Sequence, residues 1–338
     1  MLLKKLTDAC GLPGFEDEVQ EIIKKELDAI GVTYSEDRIG NIIAVKNPEA
    51  SGKVIALSAH MDEAGLCVKS VDSKGLLKFV TWGVDNKILL SQRVLVGAKK
   101  TPGVIGSKPI HLQKPSERSV PVEIDAMYID IGANSKEEAE KLVNPGDFAA
   151  FDSSWKEFGE GKIKAKALDD RLGCAAILEI LKKDYKNKII GVFVTQEEVG
   201  LRGSAVAAKS LKTDLVINIE GTICADFGET KKREQVTALG AGPSISLMDL
   251  GSIYQRKYID QITKIAEENK IPYQYRRGGK GGTDAKNYHE AQTGTPVIGL
   301  AVPCRYIHSP VSVADMSDYE NLIKLIDAYL NKREAGAE

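Results

Sequence analysis

The sequence predicts an α/β protein, a mixed and largely parallel sheet flanked by helices, with a small β-rich domain inserted into it. Three observations predict this. Runs such as "KVIALSAH" and "IIGVFV" are apolar without alternation, as in strands covered on both faces. Stretches with helical apolar spacing separate those runs. Between 66 and 160 the helices give way to short β-like segments punctuated by Gly and Pro. A chain of 338 residues, 43% apolar and 28% charged, has ordinary globular composition and room for one large domain or two unequal ones.

Taken in order, residues 16 to 30 place Val19, Ile22, Ile23, Leu27 and Ile30 on one helical face, and Gly31 stands beyond its end. "VTYSEDR" and "NIIAVKN" read as two strands joined near Gly40, and the buried run ending at His60 is a third. "LCVKSV", "LLKFVTW" and "RVLVGA" belong to the insertion, with a short helix near "SKEEAEKLV". The expected division is therefore 1–65 with 161–338 for the α/β domain and 66–160 for the insertion. A helix is expected over 170–183, strands over "KIIGVFVTQ", "DLVINIE" and "TPVIGLAVP", and a helix through "KYIDQITKIAEEN". The last helix, with Ser317 and Glu320 spaced as a capping box, lines up Met316, Tyr319, Leu322, Ile323, Ile326 and Leu330 as a core stripe.

Lys and Arg total 46 against 48 Asp and Glu, a net charge of −2, which gives no electrostatic reason to expect nucleic acid or an anionic membrane. With no uncharged apolar run of spanning length and no signal-like start, a cytoplasmic protein acting on a small or peptidic ligand is expected. Cys10, Cys67, Cys174, Cys224 and Cys304 are scattered and odd in number, so they are expected as buried small hydrophobes rather than disulfides or a thiolate zinc site.

In an open α/β sheet ligands collect beyond the carboxyl ends of the strands. There the sequence is chemically one-sided. The first buried strand ends in His60 and Asp62, "GVFVTQ" in Glu197 and Glu198, "LVINI" in Glu220, and the loop after "VIGLAV" reaches His308. "KALDDRLG" adds Asp169 and Asp170 just before a helix. Imidazoles and carboxylates without thiolates are the donor set of a zinc or cobalt site, single or paired. Asp62, two residues from His60, can hold the far nitrogen of that ring while the near one binds metal. His111 and His289 read as bystanders. Adjacent glutamates are otherwise a solvated turn, and one of Asp169 and Asp170 would serve as a helix cap. "RRGGKGGTDAK" lacks the GK[ST] ending of a phosphate loop, so Gly282, Thr283 and Asp284 are expected in a substrate groove; Arg276, Arg277 and Lys280 read as solvated charge or as contacts for acidic side chains.

"AHMDEAG", "KALDDRLGC", "TQEEVGLRGS", "GGTDA" and "RYIHSPVSV", together with "LLKKLTDACGLPGFEDEV", resemble the tetrahedral dinuclear metallo-aminopeptidases, a family with a zinc-exopeptidase-like fold, over nearly the whole chain. The resemblance implies that His60 binds one of two zinc or cobalt ions, Asp169 bridges both, Glu198 and His308 hold the second, and Glu197 is the general base. Asp62 would orient His60, and the Asp169–Asp170 peptide would be cis. It further implies short peptide substrates, and an insertion that dimerises, dimers assembling into a hollow dodecamer. The remaining ligand position is usually Asp in such proteins and is Glu220 here. The added methylene moves a carboxylate by on the order of 1.5 Å, against a coordination tolerance of about 0.2 Å. Asp226 occupies a position that the family pattern places behind the ligands. Two rival readings are a relative whose chemistry Glu220 has altered or abolished, and a glycoside hydrolase, for which the histidines and Asp169 would have no work.

Overall fold

The computed structural model describes residues 1–278 and 281–332. The chain starts with helix α1 (Leu2–Asp8) and helix α2 (Asp17–Ala29), which buries Val19, Ile23 and Leu27. Gly31, at φ +67, lets Val32 N–H return to the Leu27 carbonyl and close the helix. Strands β1 (Thr33–Glu36) and β2 (Ile42–Lys46) form an antiparallel hairpin, and β3 (Val54–His60) follows in the chain.

The chain then leaves this sheet. β4 (Gly65–Val71), β5 (Leu77–Trp82), β6 (Arg93–Val96), β7 (Thr101–Ser107), β8 (Met127–Asp130) and β9 (Phe148–Phe151), with helix α3 (Lys136–Ala139) between the last two, close into a barrel. Alternate residues, among them Leu66, Val68, Leu77, Phe79, Val94, Val96 and Ile129, fill its separate core. β10 (Lys156–Phe158), inside the stretch expected as insertion, already pairs with β11 (Lys162–Ala165) in the large sheet.

Helix α4 (Leu168–Leu181) packs across the centre of that sheet, followed by β12 (Lys188–Val194), helix α5 (Arg202–Ser210) and β13 (Leu215–Ile223). β14 (Ser244–Ser246), helix α6 (Arg256–Glu268), β15 (Gln274–Arg276), helix α7 (Ala285–Glu290), β16 (Val297–Arg305), β17 (Ser312–Asp315) and helix α8 (Met316–Lys332) complete the chain. The sheet runs β1-β2-β12-β3-β13-β16-β17-β11-β10, and its middle four strands, β12, β3, β13 and β16, are mutually parallel. They are the unalternating apolar runs, buried between helices on both sides.

One local expectation is corrected. Helix α8 is capped by Asp315, whose Oδ1 accepts from the backbone N–H and hydroxyl of Ser317, rather than by a Ser317–Glu320 box. Helices α1 and α5 escaped the sequence reading because each is short and shows few turns of pattern, whereas α7 starts where Thr283 and Asp284 were expected to open a helix. All five cysteines are free, and four are buried. No helix among the described residues is long and apolar enough to cross a membrane.

Candidate metal centre

Parallel alignment of β12, β3, β13 and β16 brings their carboxyl ends to one edge. Val194 lies level with His60, and Asn218 with Ser58, so Glu220 comes level with His60. Glu197 and Glu198 follow just beyond β12, and His308 just beyond β16. The turns that aim these residues use left-handed backbone at non-glycine positions: Ala167, Gln196, Tyr306 and His308 all have φ between +53 and +61. Such conformations gather at functional sites, where surrounding structure holds them. Asp169 and Asp170 open helix α4 with non-helical backbone joined by a cis peptide bond.

Asp169 stands between two imidazoles. Its Oδ1 lies 3.5 Å from His60 Nε2, and its Oδ2 lies 3.7 Å from His308 Nε2. Glu220 Oε2 is 3.6 Å from the same His60 nitrogen, and Glu198 Oε1 is 3.7 Å from the same His308 nitrogen. Donor atoms of His60, Asp169 and Glu220 all lie within 4.8 Å of one another. Ligands bonded to zinc at about 2.0–2.2 Å in tetrahedral array stand about 3.3–3.6 Å apart, and the His60 pairs at 3.5 and 3.6 Å have that spacing while the His308 pairs, both at 3.7 Å, are just wider.

Both rings face the acids with the wrong end for a neutral hydrogen bond. His60 Nδ1 is 3.0 Å from the Asp62 main-chain carbonyl, and His308 Nδ1 is 2.8 Å from the Gly83 carbonyl. A carbonyl only accepts, so Nδ1 carries the hydrogen in each ring, and a neutral ring presents its Nε2 lone pair to carboxylate oxygens. Lone pair facing lone pair requires a cation between them. The residues therefore fit a divalent metal.

Asp62 acts differently from expectation. Its carboxylate stands 3.6 Å from His60 Nδ1, while its main-chain carbonyl makes the hydrogen bond. The carboxylate instead accepts the backbone N–H groups of Glu197 (2.9 Å) and Glu198 (3.0 Å), fixing the glutamate turn. Asn218 donates to Glu220 Oε1 at 2.9 Å, and Gly221 N–H to Asp169 Oδ1 at 3.0 Å.

Charge is concentrated in little water. Burial pushes the Glu197 and Glu220 carboxyls well above their usual range, and the neighbouring acids add to it. Burial also lifts Glu198 to about 7. For His60, burial opposes the charged form, but the Asp169 and Asp62 carboxylates outweigh it and hold the ring well above its ordinary value. This is the signature of acids sharing cations, here protons.

A cavity of about 590 Å³ opens onto His60, Asp169, Glu197, Glu220 and His308, and continues past Thr222, Asp249, Tyr254 and Arg276. Gly282 and Thr283 line it. Asp284 does not: it is buried and accepts a hydrogen bond from Ser204, which corrects its expected place in the groove. Asp226 forms a two-pronged pair with Arg305 (2.7 and 2.9 Å) instead of supporting a candidate ligand. Arg277 donates to the Lys232 carbonyl, and Lys280 lies outside the described residues. His111 and His289 stand outside the cluster; His289 packs edge-on against Tyr254.

Sequence reasoning missed Asn218 and a buried ion network. Glu63 accepts from Lys166 Nζ (2.6 Å), Arg171 Nη2 (3.3 Å) and Gly11 N–H (3.1 Å), while Arg171 also caps the carbonyls of Leu6, Ala9, Gly11 and Met61. These bonds tie the N-terminal segment under the site. The second acid of "HMDE" was the visible signal, but its side-chain partners Lys166 and Arg171 lie more than a hundred residues away.

The family described as M42 glutamyl aminopeptidase matches residues 40–325. A protein of Acetivibrio thermocellus described as a candidate aminopeptidase is 39% identical over 96% of each chain. The lysyl aminopeptidase of Pyrococcus furiosus is 30% identical over 98% of this chain and 96% of its own. Among solved structures, the Pyrococcus horikoshii TET1 peptidase, described as assembling into a tetrahedron or a large octahedral shell, superposes with a TM-score of 0.87 at 34% identity over 98% of both chains. A Thermotoga maritima structure described as an endoglucanase superposes at 0.82 with 33% identity over 98% of this chain and 97% of that one.

Proposed function

The chain belongs to the M42 glutamyl aminopeptidase family, and on that premise we propose that it removes N-terminal residues from short peptides at a paired zinc or cobalt centre, with Glu197 as general base. The observation that carries this is the position of Asp169, whose two oxygens face two different imidazole lone pairs at 3.5 and 3.7 Å. His60 and Glu220 would hold one ion, His308 and Glu198 the other, and Asp169 both. When bound, such ions supply Lewis acidity, lowering the pKa of water towards about 7 and drawing charge from the scissile carbonyl.

The remaining work falls to the side chains. Glu197 lines the cavity and makes no ion pair with either imidazole, so its carboxylate can take a proton from the attacking water. As oxygen bonds to carbonyl carbon and the C–N bond breaks, that proton passes to the departing nitrogen. Asp62 keeps Glu197 and Glu198 in their separate roles by holding both of their amides. Acids around the centre suit a free α-ammonium group, which gives an exopeptidase its register. We further propose that the barrel mediates dimerisation and that dimers assemble further, as described for the TET1 peptidase.

Glu220 supports this reading rather than a disabled relative. Its carboxylate reaches the same His60 nitrogen as Asp169, and Asn218 takes up its second oxygen, so the longer side chain fits the corner. The endoglucanase description of one structural neighbour suggests glycoside hydrolysis, which uses two carboxylates and no metal. Chelation separates the two. Activity on aminoacyl anilides that disappears with chelator and returns with zinc or cobalt is expected; cellulose cleavage that survives chelator would replace the proposal.

A further inference from the structure

His308 is the most exposed member of the cluster and sits in a loop, yet one of its ring nitrogens is fixed by a group from the inserted barrel. Gly83 follows directly on β5, and its carbonyl is 2.8 Å from His308 Nδ1. The two residues are 225 positions apart in sequence. Gly83 also has φ +68, a backbone conformation that costs an L side chain energy. A methyl group added there would lie 2.8 Å from Glu198 Oε2, 2.9 Å from His308 Nδ1 and 3.1 Å from Ala64 Cβ. The first two neighbours are the proposed holders of the second ion.

We propose that Gly83 is a positioning residue through which the barrel completes the His308–Glu198 half of the centre: its carbonyl sets the tautomer and direction of His308, and its missing side chain leaves room for Glu198. The inference rests on the metal-centre reading above and adds a residue to it. A ligand histidine whose other nitrogen is held by a carbonyl offers its free lone pair in one fixed direction. The barrel is thus not merely an appendage: without it, His308 would rotate freely on its loop.

The test measures zinc binding by competition with a chromophoric chelator in wild type, Gly83→Ala and Gly132→Ala. Gly132 is a fair control, since it lies in the same domain with φ +78 and nothing within 4 Å of an added methyl, so it carries the backbone cost without the intrusion. Wild type and Gly132→Ala are expected to bind two ions alike. Gly83→Ala is expected to keep one at wild-type affinity and to hold the other about 10–100-fold more weakly. Two ions bound as in wild type, or both weakened equally, would overturn the proposal. Failure of wild type to bind a pair would instead remove the metal-centre reading. Should Gly83→Ala not fold, a crystal structure of zinc-loaded wild type decides: Gly83 carbonyl on His308 Nδ1 with Nε2 towards the ion supports the proposal, and a flipped ring or a turned carbonyl ends it.

Discussion

The two halves of the proposed centre are built in opposite ways. His60 and Glu220 are rooted in neighbouring parallel strands, level in register, and the His60 side chain is 2% exposed. His308 and Glu198 stand on loops bent by left-handed residues, and the His308 side chain is 40% exposed. One half inherits its precision from the sheet's hydrogen bonds. The other borrows it from Asp62 and from Gly83 of the barrel. Rigid elements hold ligands more exactly than loops do, so the first ion should be the tight one and the second the exchangeable one.

Deleting one imidazole from each half exposes that contrast most strongly. His60→Ala is expected to abolish turnover and the tight ion together, whereas His308→Ala should keep one tightly bound ion; equal ion loss in both, measured by elemental analysis, would erase the distinction. Glu197→Gln belongs to neither half: kcat should fall by at least about a hundredfold with metal content intact. Unchanged turnover would strip Glu197 of its role. Asn218→Ala should weaken only the His60 side, by about tenfold, because Glu220 loses the amide that holds its second oxygen. An effect confined to the exchangeable ion would contradict this.

The smallest effect is on stability against pH. Glu198 is raised to about 7 by burial, so in the metal-free protein the folded state binds more protons than the unfolded one between its ordinary value and that point. Stability from this group is fully present at low pH and lost as pH rises through about 7; Glu197, Glu220 and His60, also raised, act in the same direction, while Asp169, held down by its histidines despite burial, changes stability only in acid, below its ordinary value. Melting of chelated protein is therefore expected to weaken from pH 6 towards 8, and bound zinc should flatten the slope. A flat profile without metal would show that the acids do not strain against one another.

What the sequence revealed follows the same division. An apolar run that stops on a polar residue at a strand end is visible locally, so His60, Glu197, Glu198 and Glu220 could be named from pattern alone. The parallel sheet was legible because unalternating runs leave few other solutions. The supporting contacts were not. Gly83 with His308, Asn218 with Glu220, and Glu63 with Lys166 and Arg171 depend on how distant segments meet or on which atom of a residue bonds. Asp62 illustrates the last case: the right residue was named, but its backbone rather than its carboxylate holds the ring.

Elemental analysis of protein purified, chelated and reloaded with zinc or cobalt, alongside hydrolysis of an aminoacyl-anilide panel, tests the central claim most directly. Two ions per chain, lost and regained in step with peptidase activity, is the predicted result. Hydrolysis that persists in fully metal-free protein would contradict it.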